Sequence, residues 1–270
     1  MAAALTINQL QNLVPSAFAT SPHESRSSKY TYIPTSVVIH ELMKNDFLPA
    51  RATQSKSRVE GKTEFTKHMI RFRHASSQVV KVGDSLPEIV LINSHDGTSA
   101  YKLMGGLFRL VCSNGMVVSD SMCAELSVHH KGNIVDDVIE GSFRVLDDTQ
   151  KALGVSAEWQ GLHLGTAEQQ IFAEAAHELR FADADGNIDT PIRPDQLLAP
   201  RRWDDRGNDL WRTFNRVQEN VIRGGLTARG DRDTNFRRVT TREVKGIDQD
   251  VKLNRALWTL TQRMAELKAA

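Results

Sequence analysis

"TKHMIRFRH", residues 66–74, decides the fold class of this chain. His68, Ile70 and Phe72 fall on one side of it, and Lys67, Met69, Arg71 and Arg73 on the other. A period of two is what a β-strand requires, because successive side chains leave the pleat on opposite faces. Strand-like runs follow at "EIVLINS" (88–94), "GLFRLVCS" (106–113), "MVVS" (116–119) and "AELSVHH" (124–130). Asn114-Gly115 separates two of them, and this pair tolerates the positive φ of a tight hairpin. Residues 64–130 therefore read as an antiparallel sheet.

Towards the C-terminus the period changes from two to about 3.6. Asn133 can cap a helix over "IVDDVIEGSFRVLDDTQKAL", with Val135, Val138, Ile139, Leu146 and Leu153 facing a core. Thr166 and Gln169 can form a capping box before "AEQQIFAEAAHELRFA". Pro191, Pro194 and Pro200 mark an extended linker. A helix over 208–223 follows and stops at Gly224-Gly225. The last helix spans about 248–267, with Leu253, Leu257, Leu260, Met264 and Leu267 spaced 4-3-4-3 as a seam. The fold class is α+β: an antiparallel sheet packed with several helices, most of them C-terminal.

Towards the N-terminus, "ATSPHESRSSKYTYIP" is rich in Ser, Pro and charge, so residues 1–34 read as a partly flexible arm. "TSVVIHELMKNDF" (35–47) reads as a short helix, and "RATQSKSRVEGK" as a loop because it is poor in apolar residues. The remaining chain, 35–270, reads as one α+β domain, β-rich over 64–130 and helical over 131–268. Aromatics are 6% of the 270 residues, so the core must be mainly aliphatic. Residues 1–20 lack Lys and Arg, which excludes a secretory n-region, and no apolar run reaches membrane-spanning length. Cys112 and Cys123 lack metal-ligand spacing and suit reduced thiols. A soluble, cytoplasmic protein is expected, with no membrane partner.

Catalytic and metal motifs are weak. There is no phosphate-cradling Gly-Lys loop, no dinucleotide fingerprint and no nucleophile elbow. His129 and His130 would leave a strand on opposite faces. Glu174 and His177 have the Glu-x-x-His spacing of di-metal bundles, but no second copy exists. "DADGNID" (183–189) fails as a calcium loop, since its glycine is at position 4 and Pro194 stands where a glutamate belongs. Glu174, His177, Asp183 and Asp185 nonetheless define an alternative, a metal-dependent nuclease or hydrolase. No cofactor and no catalytic residue is assigned.

Charge is more informative. The net charge is +1, yet it is unevenly spread. Residues 51–73 hold seven basic against two acidic residues, and 212–245 nine against four, an excess of +5 in each. Leu210, Phe214, Val217 and Val221 give helix 208–223 a core face, while Arg212, Arg216, Glu219 and Arg223 occupy another side. Arg216 and Glu219 can pair across one turn. Arginine forks match phosphate oxygens, and aromatics beside them can stack on bases. The candidate nucleic-acid contacts are Lys67, Arg71, Arg73, Trp211, Arg212, Arg216, Arg223, Phe236, Arg237 and Arg238. The bland alternative is that the arginines are solvated or paired and the aromatics are core. Gln218, Glu219 and Asn220 also admit a structural reading, as buried hydrogen-bonding groups tying their helix to the sheet.

Four runs carry a family resemblance: "LFRLVCSNGMVV" (107–118), "RPDQLLAPRRWDD" (193–205), "DLWRTFNRVQENVIRGG" (209–225) and "TREVKGIDQDVKLNRALWTL" (241–260). They resemble domain-of-unknown-function family 932, the phage/plasmid-like proteins, over roughly residues 25–268. Gln-Glu-Asn-x-x-x-Gly-Gly (218–225) and Asn-x-x-Leu-Trp (254–258) are the most specific parts. The resemblance implies no activity, but it implies carriage on plasmids and phages, hence work on DNA. The expectation is a non-enzymatic nucleic-acid-binding protein. It would bind single strands rather than duplex, act in annealing during recombination or replication, and assemble as a homo-oligomer, a ring or filament. A second alternative is a protein-interaction module that counters a host defence system.

Overall fold

The computed structural model describes residues 4–25, 32, 34–77, 85–109, 115–117, 126–128, 134–230 and 236–269. Asn114, both cysteines, His129, His130 and Asn133 lie outside these residues. The chain forms two compact units, Met1–Leu153 and Gly154–Ala270, where the sequence suggests one domain over 35–270.

The first unit carries the antiparallel sheet. Its long strands are β1 (Phe47–Gln54), β2 (His68–His74), β3 (Ser85–Asn93) and β4 (Tyr101–Arg109), in that order. Two three-residue strands, β5 (Gly115–Val117) and β6 (Leu126–Val128), share the free edge of β4. Strand β1 corrects the loop read at 51–62, because residues 51–54 pair with β2. Pro49 hides this strand from sequence patterning. It sits on an edge beside a register shift, where its missing N–H removes no ladder bond.

One face of this sheet carries Ile70, Phe72, Ile89, Leu91, Tyr101 and Leu103. Against it pack helices α1 (Ile7–Leu13) and α2 (Thr35–Lys44) and the first half of α3 (Ile134–Gly161). The alternation read in 66–74 is thus real, but β2 is covered on both faces. Over its described part, the expected arm packs into the core. Leu10, Val14 and Ala17 are fully buried, and α1 is capped by Thr6 and Gln9 exchanging backbone and side-chain bonds.

A buried polar knot joins arm, helix and sheet. Thr35 Oγ1 accepts from Asn93 Nδ2 (3.0 Å) and from the Tyr101 hydroxyl (3.1 Å). The Nε2 atoms of His68 (3.0 Å) and His95 (3.2 Å) lie against the same oxygen. With both acceptor positions filled, the one Thr35 proton serves an imidazole nitrogen. His68 Nδ1 reaches Ser16 Oγ at 2.9 Å. Burial, reinforced by the neighbouring His95 ring, pushes His68 down from 6.5 to about 3.

A group whose folded pKa is depressed stabilises fully above its unfolded value. Stability is then lost as pH falls from about 6.5 towards 3, by about 1.4 kcal/mol per pH unit for one such group. Urea unfolding of the wild type and of His68→Gln should therefore diverge in slope between pH 7 and 5, the variant being flatter. Parallel slopes would contradict the assignment.

The second unit is helical: α4 (Thr166–Phe181), α5 (Pro194–Leu197), α6 (Leu210–Arg223) and α7 (Ile247–Ala269), with a small hairpin of β7 (Thr227–Arg229) and β8 (Arg238–Thr240). Helix α6 begins at Asp209, whose carboxylate accepts from the Arg212 N–H at 2.9 Å. Of its residues only Arg212 and Arg223 escape burial. Its apolar side meets an aromatic cluster of Trp159, Trp211, Phe214 and Trp258, with ring centroids 4.7–6.3 Å apart. Before α4, Glu168 accepts from the Gly165 N–H at 2.6 Å, so the cap lies one residue earlier than the Thr166/Gln169 box. Along α7, Leu253 and Leu257 are buried, but Leu267 stands in solvent, so the seam is covered only in its first half.

Candidate nucleic-acid interface

The arginines divide into those spent on the fold and those that are not. In the first unit, Glu88 on β3 is fully buried and faces β2. It accepts from Arg73 Nε at 2.8 Å and lies 3.5 Å from Arg71 Nη1. Arg71 itself is buried, and Lys67, just before β2, is half-buried. Burying a carboxylate requires such partners, so these two cations hold the sheet together.

In the second unit the same rule fixes most of the "WRTFNRVQENVIRGG" residues. Glu219 is 1% exposed. Its carboxylate receives Arg202 Nη1 (2.8 Å) and Nη2 (2.6 Å) and Arg223 Nη1 (2.7 Å). Asn220 donates to the carbonyls of Leu197 and Ala199, 2.9 Å each, and accepts from Arg201 Nε at 2.7 Å. Gln218 donates to Asn254 on α7 at 2.9 Å. The Gln-Glu-Asn signature thus has the buried, bonding role expected of it, but it ties α6 to segment 197–202 and to α7 rather than to the sheet. Arg216 is 7% exposed and donates to Gln169 and Thr213, 3.0 Å each, not to Glu219. Burial pushes its pKa down. Arg212 donates to Asp209 at 2.6 Å and to the Asp204 carbonyl at 2.8 Å, and the Asp209 bond pushes its pKa up. Trp211, 5% exposed, belongs to the aromatic cluster and presents no free ring.

What stands clear is the β7–β8 hairpin. Arg229 and Arg238 are register partners across it, and the Gly230 N–H donates to the Arg237 carbonyl at 2.9 Å. Arg229, Arg237 and Arg238 are exposed, and among the described residues no ion pair or hydrogen bond engages their side chains. Phe236 precedes Arg237 and Arg238 with φ +52°, a left-handed backbone uncommon for a bulky residue, and the residue is 59% exposed. Arg242 and Lys245, beyond β8, are exposed as well. Residues 227–245 hold six basic against three acidic side chains.

The hairpin has a fixed root. Gly225 N–H donates to the Thr241 carbonyl at 2.8 Å, Arg201 donates to the Gly224 carbonyl, and Gln196 donates to the Thr227 carbonyl at 2.9 Å. Of the ten candidates, the structure therefore leaves Phe236, Arg237 and Arg238 exposed together. Arg71, Arg73, Arg212, Arg216 and Arg223 work in the fold, Trp211 is core, and Lys67 belongs to the other unit.

One residue escaped the sequence reading. Trp203, in "RRWDDR", is 77% exposed on a short 3-10 turn (Trp203–Asp205). Its signal was an aromatic following two arginines outside any apolar period, unlike Trp211 in the next helix.

The metal alternative finds no support in the geometry. His177 is buried, with Nε2 2.7 Å from the Ile192 carbonyl, and Glu174 accepts from Gln170 at 3.0 Å. Asp183 closes a turn by accepting from the N–H groups of Asp185 and Asn187, which lower its pKa. No cluster of three His, Cys, Asp or Glu suited to a metal occurs among the described residues. No helix of the described residues is long and apolar enough to cross a membrane.

Fold and site together define an α+β protein whose helical unit carries a hairpin with exposed arginines that, among the described residues, have no side-chain partner. The chain belongs to the family described as "Domain of unknown function (DUF932)", which matches residues 22–258. It is 45% identical over 260 residues to the UPF0380 protein YafZ of Escherichia coli (strain K12) and 44% identical to the UPF0380 protein YfjQ of the same organism. Each comparison covers 96% of this chain and 91% of the relative. No solved structure matches at a significant level.

Proposed function

We propose that this chain is a non-enzymatic nucleic-acid-binding protein that holds single-stranded DNA through the β7–β8 hairpin, in annealing during recombination or replication of a plasmid or phage. Assembly into a homo-oligomer belongs to the same proposal. The observation that carries it is the contrast among arginines: Arg229, Arg237 and Arg238 stand unpaired beside an exposed Phe236, while the arginines of β2 and α6 are engaged. Keeping like charges adjacent on a small hairpin is unfavourable for the fold alone. A polyanion in contact with them would remove that repulsion and release its own counterions.

The reading needs no metal and no nucleophile, and it leaves the bases of a bound strand available for pairing. It is tested by fluorescence anisotropy of a labelled oligonucleotide at low salt. The wild type is expected to bind, and Arg237→Glu/Arg238→Glu to weaken binding by at least about ten-fold. Retention of full affinity by the double reversal, or no binding by the wild type, contradicts it. The expected size change on assembly is read by light scattering with and without the oligonucleotide.

A further inference from the structure

The chain has four tryptophans, and three of them lie in the core of the second unit: Trp159, Trp211 and Trp258 are buried, with Trp159 against both of the others. The fourth, Trp203, leaves 77% of its surface in solvent. An indole offers more apolar area than almost any other side chain, and burying it would stabilise the fold. The fold instead secures the backbone on both sides of it and leaves the ring out.

The anchoring is specific. Arg202, just before Trp203, is locked by its two bonds to Glu219. The carbonyl of Asp204, just after it, accepts from Arg212 at 2.8 Å. The Arg206 N–H closes the turn on the Trp203 carbonyl at 3.1 Å. Near it in the chain are arginines with surface left to offer: the Arg206 side chain is exposed and, among the described residues, has no bonded partner, and Arg212, whose Nε reaches the Asp204 carbonyl, remains partly exposed. Arg201, two residues before Trp203, reaches the carbonyl of Gly224 at the root of the hairpin. The turn that carries the indole is thus tied to the element that carries the unpaired arginines.

We infer that Trp203 is a base-stacking platform, and that through it this surface selects unpaired over paired strands. The inference rests on the nucleic-acid reading above and adds to it a base-contacting residue and a physical basis for its strand preference. A flat exposed ring on a turn with arginines near it in the chain, Asp204 beside it notwithstanding, fits a nucleobase bracketed by phosphates, since every base has a π-face and the adjoining phosphates can meet the guanidiniums. In a duplex the bases are already stacked on their neighbours. An outward indole then gains contact only by unstacking a step, which costs a few kcal/mol in general. The charges set affinity for any polyanion, and the ring sets the preference for the single strand.

The burial of the other three tryptophans supplies a direct probe. A single-stranded oligothymidine should quench intrinsic tryptophan fluorescence of the full-length protein, and Trp203→Phe should lose most of that quenching. Trp203→Ala should weaken single-strand binding by roughly 5- to 150-fold, as stacking of one base implies. It should leave binding to a hairpin duplex of equal charge within about two-fold, and the urea midpoint unchanged. Trp203→Phe should recover part of the single-strand affinity.

If anisotropy shows binding but fluorescence does not respond and Trp203→Ala binds like the wild type, the platform is wrong and the hairpin reading stands. Equal losses on single strand and duplex overturn the strand selectivity. A changed oligomeric state in Trp203→Ala, with binding unaltered, overturns the inference in favour of a contact between copies. No binding by the wild type removes the underlying reading itself.

Discussion

Glu219→Ala is expected to lower the unfolding free energy of the second unit by about 3–5 kcal/mol, as breaking a buried ion pair from one side does. Its carboxylate sits among three guanidiniums. Arg202 and Arg223 donate to it directly, and the charge of Arg201 is close enough to feel it. With the carboxylate gone, Arg202 stays largely buried with only the longer contact to Asp205 at 3.7 Å, and the charges of Arg201 and Arg223 lose the anion between them. Glu219→Gln keeps a hydrogen-bond acceptor and loses the charge, so it should fall between alanine and the wild type. The core tryptophans of this unit report the transition, and urea midpoints followed by their fluorescence measure it. A loss below about 1 kcal/mol for the alanine variant would mean that the pairing is of the weak, solvated kind.

Gly224→Ala is expected to destabilise by about 3 kcal/mol or more, for reasons of backbone geometry. Gly224 has φ +62° and ψ −149°, a region almost confined to glycine. A Cβ there would lie 2.6 Å from both the carbonyl carbon and oxygen of Arg242 and 2.8 Å from the Thr241 oxygen. These are backbone atoms, so no side chain can rotate away, and the strand leaving β8 would have to move. Gly225 provides the comparison. Its φ is +82°, but a Cβ would meet only the Arg201 guanidinium, at 3.8 Å, so Gly225→Ala should cost about 1–2 kcal/mol from conformation alone. Thermal unfolding and limited proteolysis of the two variants should rank Gly224 above Gly225. The reverse ranking would contradict the packing of the hairpin root.

These two expectations show which parts of the molecule were legible beforehand. The period of two in 66–74 and the 4-3-4 spacing of Leu210, Phe214, Val217 and Val221 are local properties, and the structure follows both. The Gly-Gly stop after α6 was equally local. Strand β1 was not legible, because an edge strand with a proline and a polar outer side carries no alternation. The docking of α1 depends on a surface built by the sheet, which its own short sequence does not announce.

The arginines show the limit most clearly. Arg223 and Glu219 are four residues apart on one helix, a pairing that spacing allows. The partner that dominates Glu219, Arg202, lies 17 positions away, across a loop. Arg73 meets Glu88 from a neighbouring strand, through a register fixed by the whole sheet. Spacing also allows Arg216 to pair with Glu219, whereas Gln169 on α4 takes it. Whether a basic run is free or engaged is a tertiary property. Sequence located the positive charge correctly, but it did not separate Arg237 and Arg238 from Arg71, Arg73 and Arg216. For the same reason it favoured Trp211, a core residue, over Trp203.

We propose a division of labour: engaged arginines hold the fold, and unpaired arginines of the hairpin would hold a polyanion. The most direct measurement pairs urea unfolding with the salt dependence of single-strand binding on the same proteins: wild type, Arg73→Gln and Arg229→Gln/Arg237→Gln/Arg238→Gln. The hairpin variant should unfold at the wild-type midpoint, while its plot of log affinity against log salt should be shallower by roughly 2, about 0.7 for each lost phosphate contact. Arg73→Gln should be less stable and keep the wild-type slope. A hairpin variant with an unchanged slope, or an Arg73→Gln protein that loses slope without losing stability, would contradict the account.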